Sequence, residues 1–299
     1  MKRLGILLAG GTGSRLYPCT SVVSKQLVPV YDKPTAYYAL STLINLGIKE
    51  VLIICKSSDL DQYQKLFLHG THLGMCIHYA VQDEPKGIAD AFNVARSTLN
   101  GWIRINTYDQ YVLILGDNIF CQSHELECAL ENENSKEEFV HIFSTEVKDP
   151  TQYGVVSYLK NKITIDEKPQ QPQSNQAISG IYVFDATVLD KVLSLKPSKR
   201  NELEITDLIK LYTRKGAYAH SILENTAWFD TGTPDSLLDA AMYIRSYQNR
   251  TGKMIGCIEE SAFNKGFITA NQLQQYCKIL PDNYYRKYLS TLKHPSTLC

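Results

Sequence analysis

The chain has 299 residues, enough for one large α/β domain with an appendage or for two modest domains. Its 31 basic side chains are balanced by 31 acidic ones, so the sequence lacks the positive excess that is typical of proteins that bind DNA, RNA or an anionic membrane. No stretch is apolar for the roughly 18 residues that a membrane-spanning helix needs, and no charged leader precedes the first apolar run. We therefore expect a cytoplasmic protein without a nucleic-acid or membrane partner.

Cysteine usage agrees with a cytoplasmic location. The eight cysteines are scattered, and none of them forms a Cys-x-x-Cys pair. Several lie inside apolar segments, where free thiols behave as small hydrophobic side chains. We expect all of them to be reduced.

In the first half of the sequence, apolar runs rich in β-branched residues alternate with amphipathic segments. This pattern is typical of βαβ units that build a mostly parallel sheet. Gly47 and Gly70 are placed where the first two helices would end. The predicted strands are 3–8, 51–55, 76–81 and 111–115, and the predicted helices are 36–46, 59–67 and 87–99.

From about residue 139 the predicted strands follow one another with few helices between them, which favours a mixed, partly antiparallel region. We assign the chain to the α/β class, with a Rossmann-like, mostly parallel sheet flanked by helices, a mixed β part and a small C-terminal helical part. The later strands are predicted at 139–147, 153–159, 162–165 and 178–184, and the later helices at 186–195, 204–215, 233–250 and within the tail 269–292.

The first strand runs directly into a glycine-rich loop, in which Leu8 is followed by Gly10, Gly11, Gly13 and Arg15. Glycines let successive backbone N–H groups surround one anion, and the arginine adds a rigid fork of donors. The spacing matches neither the Walker A loop nor the dinucleotide fingerprint. The loop predicts binding of a nucleoside triphosphate, although the glycines alone would also suit an ordinary strand-to-loop turn.

A second cation follows this loop. Lys25 lies between a polar turn and Pro29, which fixes the direction of the backbone. Gly-Gly-x-Gly-x-Arg followed by Lys-x-Leu-x-Pro resembles the signature of the sugar-nucleotide pyrophosphorylases, which are nucleotidyltransferases. The window 8–34, including Tyr31-Asp32-Lys33-Pro34, is similar to the glucose-1-phosphate thymidylyltransferases in particular.

This resemblance spans residues 3–292 and implies the nucleotide-diphospho-sugar transferase fold. It also implies that dTTP and glucose 1-phosphate are joined to give dTDP-glucose and pyrophosphate, the first step towards dTDP-rhamnose or related deoxysugars. The sequence does not determine whether the nucleotide is dTTP or UTP, or which hexose is used, because small contacts decide such preferences. A regulatory protein that only binds a nucleotide sugar is a further alternative.

Two aspartates follow apolar segments at positions suited to a metal ion. Asp117 comes directly after the strand 111–115, and Asp230 lies in a glycine turn before a helix that begins near Thr233. Carboxylates together with substrate phosphate oxygens are typical ligands of Mg²⁺. On the residues alone, Asp117 is better explained as an aspartate that caps its own turn. The segment of Asp230 suits an N-cap at Thr233 with Pro234 at the first helical position, a role that can coexist with metal binding. In the family the corresponding aspartates hold the catalytic metal, which implies Mg²⁺ bound by Asp117 and Asp230.

Glu167-Lys168-Pro169 follows a short strand. On the residues alone Lys168 would be a solvated surface lysine, since lysine is rarely buried without a partner. The resemblance implies instead that Lys168 grips the sugar phosphate and that Glu167 contacts a sugar hydroxyl. Lys168 would then act with Arg15 and Lys25 as the catalytic cations.

The segment 82–91 resembles the part of the family that reads the pyrimidine base, with Gln82 at the base edge and Gly87 allowing close approach. Asp90 departs from the family pattern, in which a glutamine is expected, and the run 100–110 looks longer than usual. Tyr153 would line the sugar, or could equally be a core tyrosine. The predicted nucleotide-binding residues are Leu8, Gly10, Gly11, Gly13, Gln82, Pro85, Gly87 and Asp117; the predicted sugar-phosphate-binding residues are Tyr153, Gly154, Glu167, Lys168, Ile178 and Trp228.

The predicted domain organisation is a catalytic domain at 1–250, with a nucleotide half to about 138 and a sugar-phosphate half after it, and a helical region at 251–299 for oligomerisation. Family members with such a tail are homotetramers, dimers of dimers, with a second nucleotide site for feedback inhibition. The segment 121–125 does not match what is expected beside that site. The basic segment 196–200 is predicted to be a solvated loop.

Overall fold

A computed structural model of the protein describes residues 1–11, 13–102, 108–131, 138–159 and 162–293. Part of the run 100–110, predicted to be longer than in the family, lies at 103–107, outside these ranges. The strands are β1 (Arg3–Leu8), β2 (Pro29–Val30), β3 (Lys33–Pro34), β4 (Glu50–Cys55), β5 (Cys76–Val81), β6 (Gln110–Leu115), β7 (Asn118–Cys121), β8 (Val140–Glu146), β9 (Gly154–Leu159), β10 (Lys162–Glu167), β11 (Gln176–Asp185), β12 (Tyr218–Ile222) and β13 (Ala227–Asp230).

The helices cover the sheet on both faces and continue into the C-terminal part of the chain. They are α1 (Thr35–Asn45), α2 (Leu60–Phe67), α3 (Asp90–Trp102), α4 (His124–Glu131), α5 (Val188–Lys191), α6 (Ile205–Thr213), α7 (Pro234–Thr251), α8 (Ile258–Asn264), α9 (Ala270–Ile279) and α10 (Tyr284–Thr291). Among the described residues, no helix has the length and apolar character required to cross a membrane.

The central sheet of the described chain has nine strands, in the order β10-β9-β11-β6-β1-β4-β5, with β8 beside β11 and β12 beside β8. β6, β1, β4 and β5 run parallel. β11 then pairs antiparallel with β6, and β9 and β10 continue the antiparallel part. The prediction of a parallel first half and a mixed second half is therefore confirmed.

Burial on both faces explains why the parallel strands are almost continuously apolar. In β1, Leu7 packs into the core on the α1 side of the sheet, whereas Leu4 and Ile6 pack into the core on the α3 side. Gly5 lets α1 come close, because a Cβ at this position would lie 3.0 Å from Cδ1 of Leu43. This packing fixes the edge of the sheet where β1 and β6 end.

Several short elements were not predicted from the sequence. The most important are β7 and β13, which form a separate antiparallel ribbon in which Asn118 lies opposite Asp230. β12, α4 and α8 were also missed, and the predicted helix 186–195 is a short α5 followed by a 3₁₀ turn. Elements of four residues carry too little periodicity to be recognised without their partners.

The C-terminal helices pack on the α1 side of the sheet. Phe263, Leu273 and Leu289 belong to the same buried cluster as α1, and the hydroxyl groups of Ser41 and Ser261 lie 2.9 Å apart. The helical tail is thus joined to the nucleotide half by a shared core, while the proposed boundary near residue 250 stays a prediction. The seven cysteines of the described residues are free thiols.

Candidate active site

A cavity of about 450 Å³ opens where β1 and β6 end. Ligands of open α/β sheets bind at this edge, outside the carboxyl ends of the strands. Residues from both predicted halves contribute to its wall. The wall includes every residue predicted to act at the site: Leu8, Gly10, Gly11, Gly13, Arg15, Lys25, Gln82, Pro85, Gly87, Asp117, Tyr153, Gly154, Glu167, Lys168, Ile178, Trp228 and Asp230.

The glycine loop follows β1 and turns back at Gly13. Gly13 has a φ of +63°, and a Cβ there would lie 2.7 Å from Cγ2 of Thr20. The hydroxyl of Thr20 donates a hydrogen bond to the carbonyl oxygen of Gly13 at 2.8 Å. Glycine is therefore required here by the fold of the loop itself, because a side chain would be both strained and obstructed.

The β7–β13 ribbon brings Asp117 and Asp230 together. Asp117 directly precedes β7 and Asp230 ends β13. The backbone N–H and the hydroxyl of Thr231 donate to the carbonyl oxygen of Asp117, at 3.0 and 2.7 Å. The ammonium of Lys25 forms an ion pair with Asp117 and lies 3.9 Å from Oδ1 of Asp230.

Charges from distant parts of the sequence act on Asp230. Burial raises the pKa of Asp230, and the nearby Asp117 carboxylate raises it further. Lys25, Arg15 and Lys168 act in the opposite direction and lower this pKa. Gly232 leaves room for the arginine, since a Cβ there would lie 2.9 Å from Nη2 of Arg15. The three predicted cations and the two predicted metal ligands thus surround one point of the cavity.

The two aspartates suit a divalent cation. They are half-buried and repel each other, and neutralisation by a cation would relieve that repulsion. Among the described residues, no group of three or more His, Cys, Asp and Glu side chains is arranged to hold a metal. A metal at Asp117 and Asp230 would therefore complete its coordination with phosphate oxygens and water, which is the arrangement typical of Mg²⁺.

Asn118 braces the ribbon against the central sheet, and sequence reasoning did not single it out. Its Oδ1 accepts hydrogen bonds from the N–H of Gly180 at 3.2 Å and from Nε1 of Trp228 at 2.7 Å. Its Nδ2 donates to Oδ1 of Asp117 at 3.0 Å. The only signal in the sequence was its position directly after the aspartate, because Gly180 and Trp228 lie far away along the chain.

The end of the cavity predicted to hold the sugar is lined by an ion-pair network. Nη2 of Arg200 lies 3.1 Å from Oε1 of Glu167 and 2.7 Å from Oε2 of Glu204. Thr206 donates to Oε2 of Glu167 at 3.1 Å. Burial raises the pKa of Glu167, and the Glu204 carboxylate adds to this effect. The prediction that 196–200 is only a solvated loop is wrong for Arg200, which lines the cavity.

Lys168 has an unusual backbone. Its φ is +43°, and its N–H donates to the carbonyl oxygen of Tyr153 at 2.9 Å. A residue before proline normally has an extended backbone, so this conformation is held in place by its surroundings. Tyr153 lies on the cavity wall rather than in the core, with its ring 5.4 Å from that of Trp228 in an edge-on arrangement.

The segment predicted to read the base is tied to the opposite side of the cavity. Gly87 has a φ of +99°, and a Cβ there would overlap the backbone of Leu203. The N–H of Leu203 donates to the carbonyl oxygen of Lys86 at 2.7 Å, and its carbonyl oxygen accepts from the N–H of Ala89 at 3.1 Å. Position 87 therefore requires glycine because of its contact with the backbone of Leu203, independently of any contact between Gly87 and a base.

A second cavity, of about 380 Å³, lies between α1, the end of β7 and α8. Gln122, Ser123 and His124 contribute to its wall, so the segment that departs from the family pattern borders this space. The second nucleotide site implied by the resemblance stays a prediction.

Comparison with known proteins agrees with the geometry. Residues 4–247 match the family model described as nucleotidyl transferase. The chain is 42% identical over 294 residues to a glucose-1-phosphate thymidylyltransferase of Xanthomonas campestris pv. campestris (strain B100), with 97% of each chain covered. It is 39% identical over 291 residues to a glucose-1-phosphate thymidylyltransferase of Neisseria meningitidis serogroup A, with 96% of this chain and 98% of the relative covered.

Two solved structures are similar as well. A putative glucose-1-phosphate thymidylyltransferase from Bacillus anthracis, in complex with a sucrose, is 36% identical with a TM-score of 0.73, covering 81% of this chain and 95% of its own. A UDP-glucose pyrophosphorylase complexed with UDP-glucose is 20% identical with a TM-score of 0.68, covering 84% and 100%, and supports the fold alone. The chain therefore belongs to the nucleotidyl transferase family, in the group of the glucose-1-phosphate thymidylyltransferases.

Proposed function

We propose that this protein joins glucose 1-phosphate to dTTP, forming dTDP-glucose and releasing pyrophosphate. The names of relatives that share about 40% identity over almost the whole chain support this reaction. The observation that carries the proposal is the convergence of Arg15, Lys25 and Lys168 on the pair Asp117 and Asp230. Such a cluster suits a reaction between two polyanions.

In the proposed mechanism, a phosphate oxygen of glucose 1-phosphate attacks the α-phosphorus of the nucleotide, opposite the bond to the pyrophosphate leaving group. A new P–O bond forms while the bond to pyrophosphate breaks, and pyrophosphate carries away the electron pair. No side-chain nucleophile is needed. The work of the protein is to align the two substrates and to stabilise the charge that develops on the transferred phosphorus.

We assign the residues to the substrates by their places in the cavity. The glycine loop and Arg15 hold the triphosphate, because its N–H groups and guanidinium are anion donors. Lys168 and Arg200 hold the sugar phosphate, and Glu167 accepts a hydrogen bond from a sugar hydroxyl. Lys25 forms an ion pair with Asp117 and lies close to Asp230, so it helps to hold the two carboxylates in position.

We further propose that Asp117 and Asp230 hold Mg²⁺. When bound, this ion would neutralise phosphate oxygens of the nucleotide and of the leaving group. Asp117 directly precedes the ribbon and Asp230 ends it, and Asn118 braces the ribbon, so the fold itself brings the two carboxylates together. This arrangement supports the assignment.

The reaction is tested by following pyrophosphate release from Mg²⁺, a panel of nucleoside triphosphates and a panel of hexose 1-phosphates. We expect turnover with dTTP and glucose 1-phosphate, and efficient turnover with UTP alone would correct the nucleotide. Asp117→Asn and Lys168→Ala should each lower kcat on the order of a hundredfold, the typical effect of removing one preorganised charged group.

The chain offers a matched control for these two variants. Asp61 and Lys65 form an exposed ion pair on α2, with the two atoms 2.9 Å apart. Asp61→Asn and Lys65→Ala remove the same chemical groups away from the cavity, so we expect kcat to stay within about twofold of the unmodified protein. Near-normal turnover of Asp117→Asn or Lys168→Ala at saturating Mg²⁺ would contradict that residue's assignment.

We also propose that the protein assembles as a homotetramer, a dimer of dimers. Leu238 and Met242 lie one turn apart on α7, and their side chains are among the large apolar groups exposed in the single chain. Large apolar groups exposed side by side favour an interface. Light scattering coupled to gel filtration would measure the mass, and a monomer at all concentrations would exclude this assembly.

A further inference from the structure

Thr231 directly follows Asp230, and it is completely buried. Both of its donors bond to one atom, the carbonyl oxygen of Asp117, with the backbone N–H at 3.0 Å and the hydroxyl at 2.7 Å. Thr231 is not among the residues that form the described wall of the main cavity. It is thus joined to both aspartates of the site without being in contact with a substrate itself.

These two bonds continue the β7–β13 ribbon beyond its last pair of residues. Asn118 and Asp230 form that pair, so Asp117 and Thr231 lie opposite each other at the next position. A carbonyl oxygen has two lone pairs, and two donors on the same oxygen fix both the distance between the segments and the tilt of the peptide group. The main chain that carries the Asp117 carboxylate is therefore held against the main chain that carries Asp230.

The two carboxylates need such a hold because like charges repel each other at short range. The ammonium of Lys25 pairs with Asp117 and lies 3.9 Å from Oδ1 of Asp230, so it attracts the side chains. Thr231 acts on the backbone instead and brings no further charge into the cavity. Because its hydroxyl is buried, water has no access to replace the hydrogen bond when the hydroxyl is removed.

We propose that Thr231 is a positioning residue for the metal ion. It holds Asp117 and Asp230 at the separation needed for binding before the ion arrives. The inference rests on the proposed function, in which these aspartates bind Mg²⁺. Groups that orient metal ligands raise the affinity for the ion, because ligands that are already in place lose less freedom when it binds. Loss of the Thr231 hydroxyl should therefore weaken binding of the ion by the folded protein.

Thr226 makes the equivalent contact at the other end of the ribbon. It directly precedes β13, and its hydroxyl donates to the carbonyl oxygen of Gln122, directly after β7, at 3.2 Å. Thr226 is also buried. The two threonines therefore stabilise the same ribbon by the same kind of bond, but only Thr231 does so next to the aspartates. This pair of residues separates a role in metal binding from a role in the fold.

The test uses Mn²⁺ alone as the probe, with free Mn²⁺ measured by electron paramagnetic resonance in the absence of substrates. Thr231→Val removes the hydroxyl and keeps the shape of the side chain and the bond from the backbone N–H. We expect the dissociation constant for Mn²⁺ to rise about tenfold, the lower end of the effects seen when a group that orients a metal ligand is removed. Thr231→Ser keeps a hydroxyl and should stay within about twofold of the unmodified protein.

The metal requirement of turnover provides a second readout. The Mg²⁺ concentration that gives half-maximal pyrophosphate release should also rise about tenfold in Thr231→Val, whereas kcat at saturating Mg²⁺ should fall by less than about threefold. A merely structural role would lower kcat and leave the Mg²⁺ requirement unchanged. An unchanged dissociation constant for Mn²⁺ in Thr231→Val overturns the proposal.

Thr226→Val is the matched control. Urea unfolding should show a similar loss of stability for Thr226→Val and Thr231→Val, since each removes one buried hydroxyl from the ribbon. In Thr226→Val the dissociation constant for Mn²⁺ should stay within about twofold of the unmodified value. An equal weakening of Mn²⁺ binding in the two variants would overturn the proposal, because any loosening of the ribbon would then be sufficient.

Thr231→Ala removes the same hydroxyl with a smaller side chain, and it replaces Thr231→Val if circular dichroism shows that the latter does not fold. Failure of the proposed metal site has a different signature. In that case Asp230→Asn does not weaken Mn²⁺ binding, and the inference about Thr231 falls with the site. If Asp230→Asn weakens binding and Thr231→Val does not, only the role of Thr231 is overturned.

Discussion

The two ends of the main cavity are built in different ways. At the end proposed to hold the nucleotide, called the nucleotide end, the glycine loop presents backbone groups, and a side chain at Gly13 would meet Thr20. At the end proposed to hold the sugar, called the sugar end, charged side chains line the cavity, and Arg200 joins Glu167 and Glu204 in one network. The first end depends on the conformation of a short segment, whereas the second depends on the balance of charge among segments that are far apart in the sequence.

This difference explains which parts could be recognised in the sequence. The glycine loop is contained in residues 8–15, so its motif is complete in one window. The contact between Arg200 and Glu167 joins residues 33 positions apart, and nothing local marks the pair. A binding site made of backbone is therefore visible in a short motif, while one made of ion pairs becomes visible only in the fold.

The largest effect is expected at the sugar end, from Arg200→Ala. This change leaves Glu167 and Glu204 facing each other without their shared cation, a costly arrangement for partly buried charges. We expect kcat/KM for glucose 1-phosphate to fall on the order of a hundredfold. The KM for dTTP should change by less than about twofold, since the glycine loop does not depend on this network.

Steady-state kinetics with each substrate varied in turn would measure both effects. Arg96→Ala removes an arginine whose ion pair with Asp190, at 3.7 Å, lies outside the cavity wall, and it should leave both constants near normal. If Arg200→Ala lowered kcat/KM equally for glucose 1-phosphate and for dTTP, the distinction between the two ends of the cavity would be contradicted.

The next effect is expected at the nucleotide end, from Gly13→Ala. The left-handed backbone costs an alanine roughly 1–2 kcal/mol, and its Cβ would also press on Thr20. We expect the loop to shift and the KM for dTTP to rise about tenfold, with the KM for glucose 1-phosphate unchanged. The same two-substrate kinetics would measure these values.

Gly216→Ala is a suitable control for Gly13→Ala. Gly216 has a φ of +73°, but a Cβ there would have no neighbour within 4 Å. This variant introduces the same backbone strain away from the cavity, so it should lose about 1 kcal/mol of stability and keep both KM values. A rise in the KM for dTTP in both variants would show that strain alone causes the effect.

Acid should destabilise the fold through His141 on β8. Burial, and then the nearby His220, lower the pKa of His141 from 6.5 to about 4. Because the pKa is lower in the folded state than in the unfolded state, the stability is fully present above about pH 6.5 and is lost as the pH falls towards 4. At pH 5.5 we expect a loss of about 1 kcal/mol compared with pH 7.5.

Urea unfolding at several pH values would measure this loss. Gln at this position cannot be protonated in this range, so His141→Gln should reduce the pH dependence between pH 5 and 7. His72 and His220, whose pKa values are also lowered by burial, account for what remains. If His141→Gln and the unmodified protein lose the same free energy of unfolding as the pH falls, protonation of His141 is not the cause of the loss.

The smallest effect is expected from Glu202→Gln. Nη2 of Arg200 lies 3.3 Å from Oε2 of Glu202, but the Glu202 side chain is 35% exposed, compared with 8% for Glu204. Exposed ion pairs contribute only about 0–1 kcal/mol. We expect kcat/KM for glucose 1-phosphate to change by less than about threefold, and a larger loss in the same kinetic assay would show that the network extends to the rim of the cavity.

The sequence predicted the parallel strands well, because their apolar runs are long and end in recognisable turns. It also placed Asp117 directly after a strand and Asp230 in a glycine turn before a helix. It missed the β7–β13 ribbon that brings these aspartates together, because each strand has only four residues. It missed Asn118 as a brace because Gly180 and Trp228 lie on distant segments. It missed Arg200 as part of the wall for a related reason, since Glu167 is also distant in the sequence.

The contact between Gly87 and Leu203 has a consequence for how the two substrates affect one another. Leu203 is hydrogen-bonded to Lys86 and Ala89 on either side of Gly87, and it lies one residue before Glu204. The loop that contains Gly87 and the loop that contains Leu203 are thus linked by main-chain hydrogen bonds. A ligand that displaces one of these loops would therefore displace the other. Any coupling between the two substrates through this link would be reciprocal.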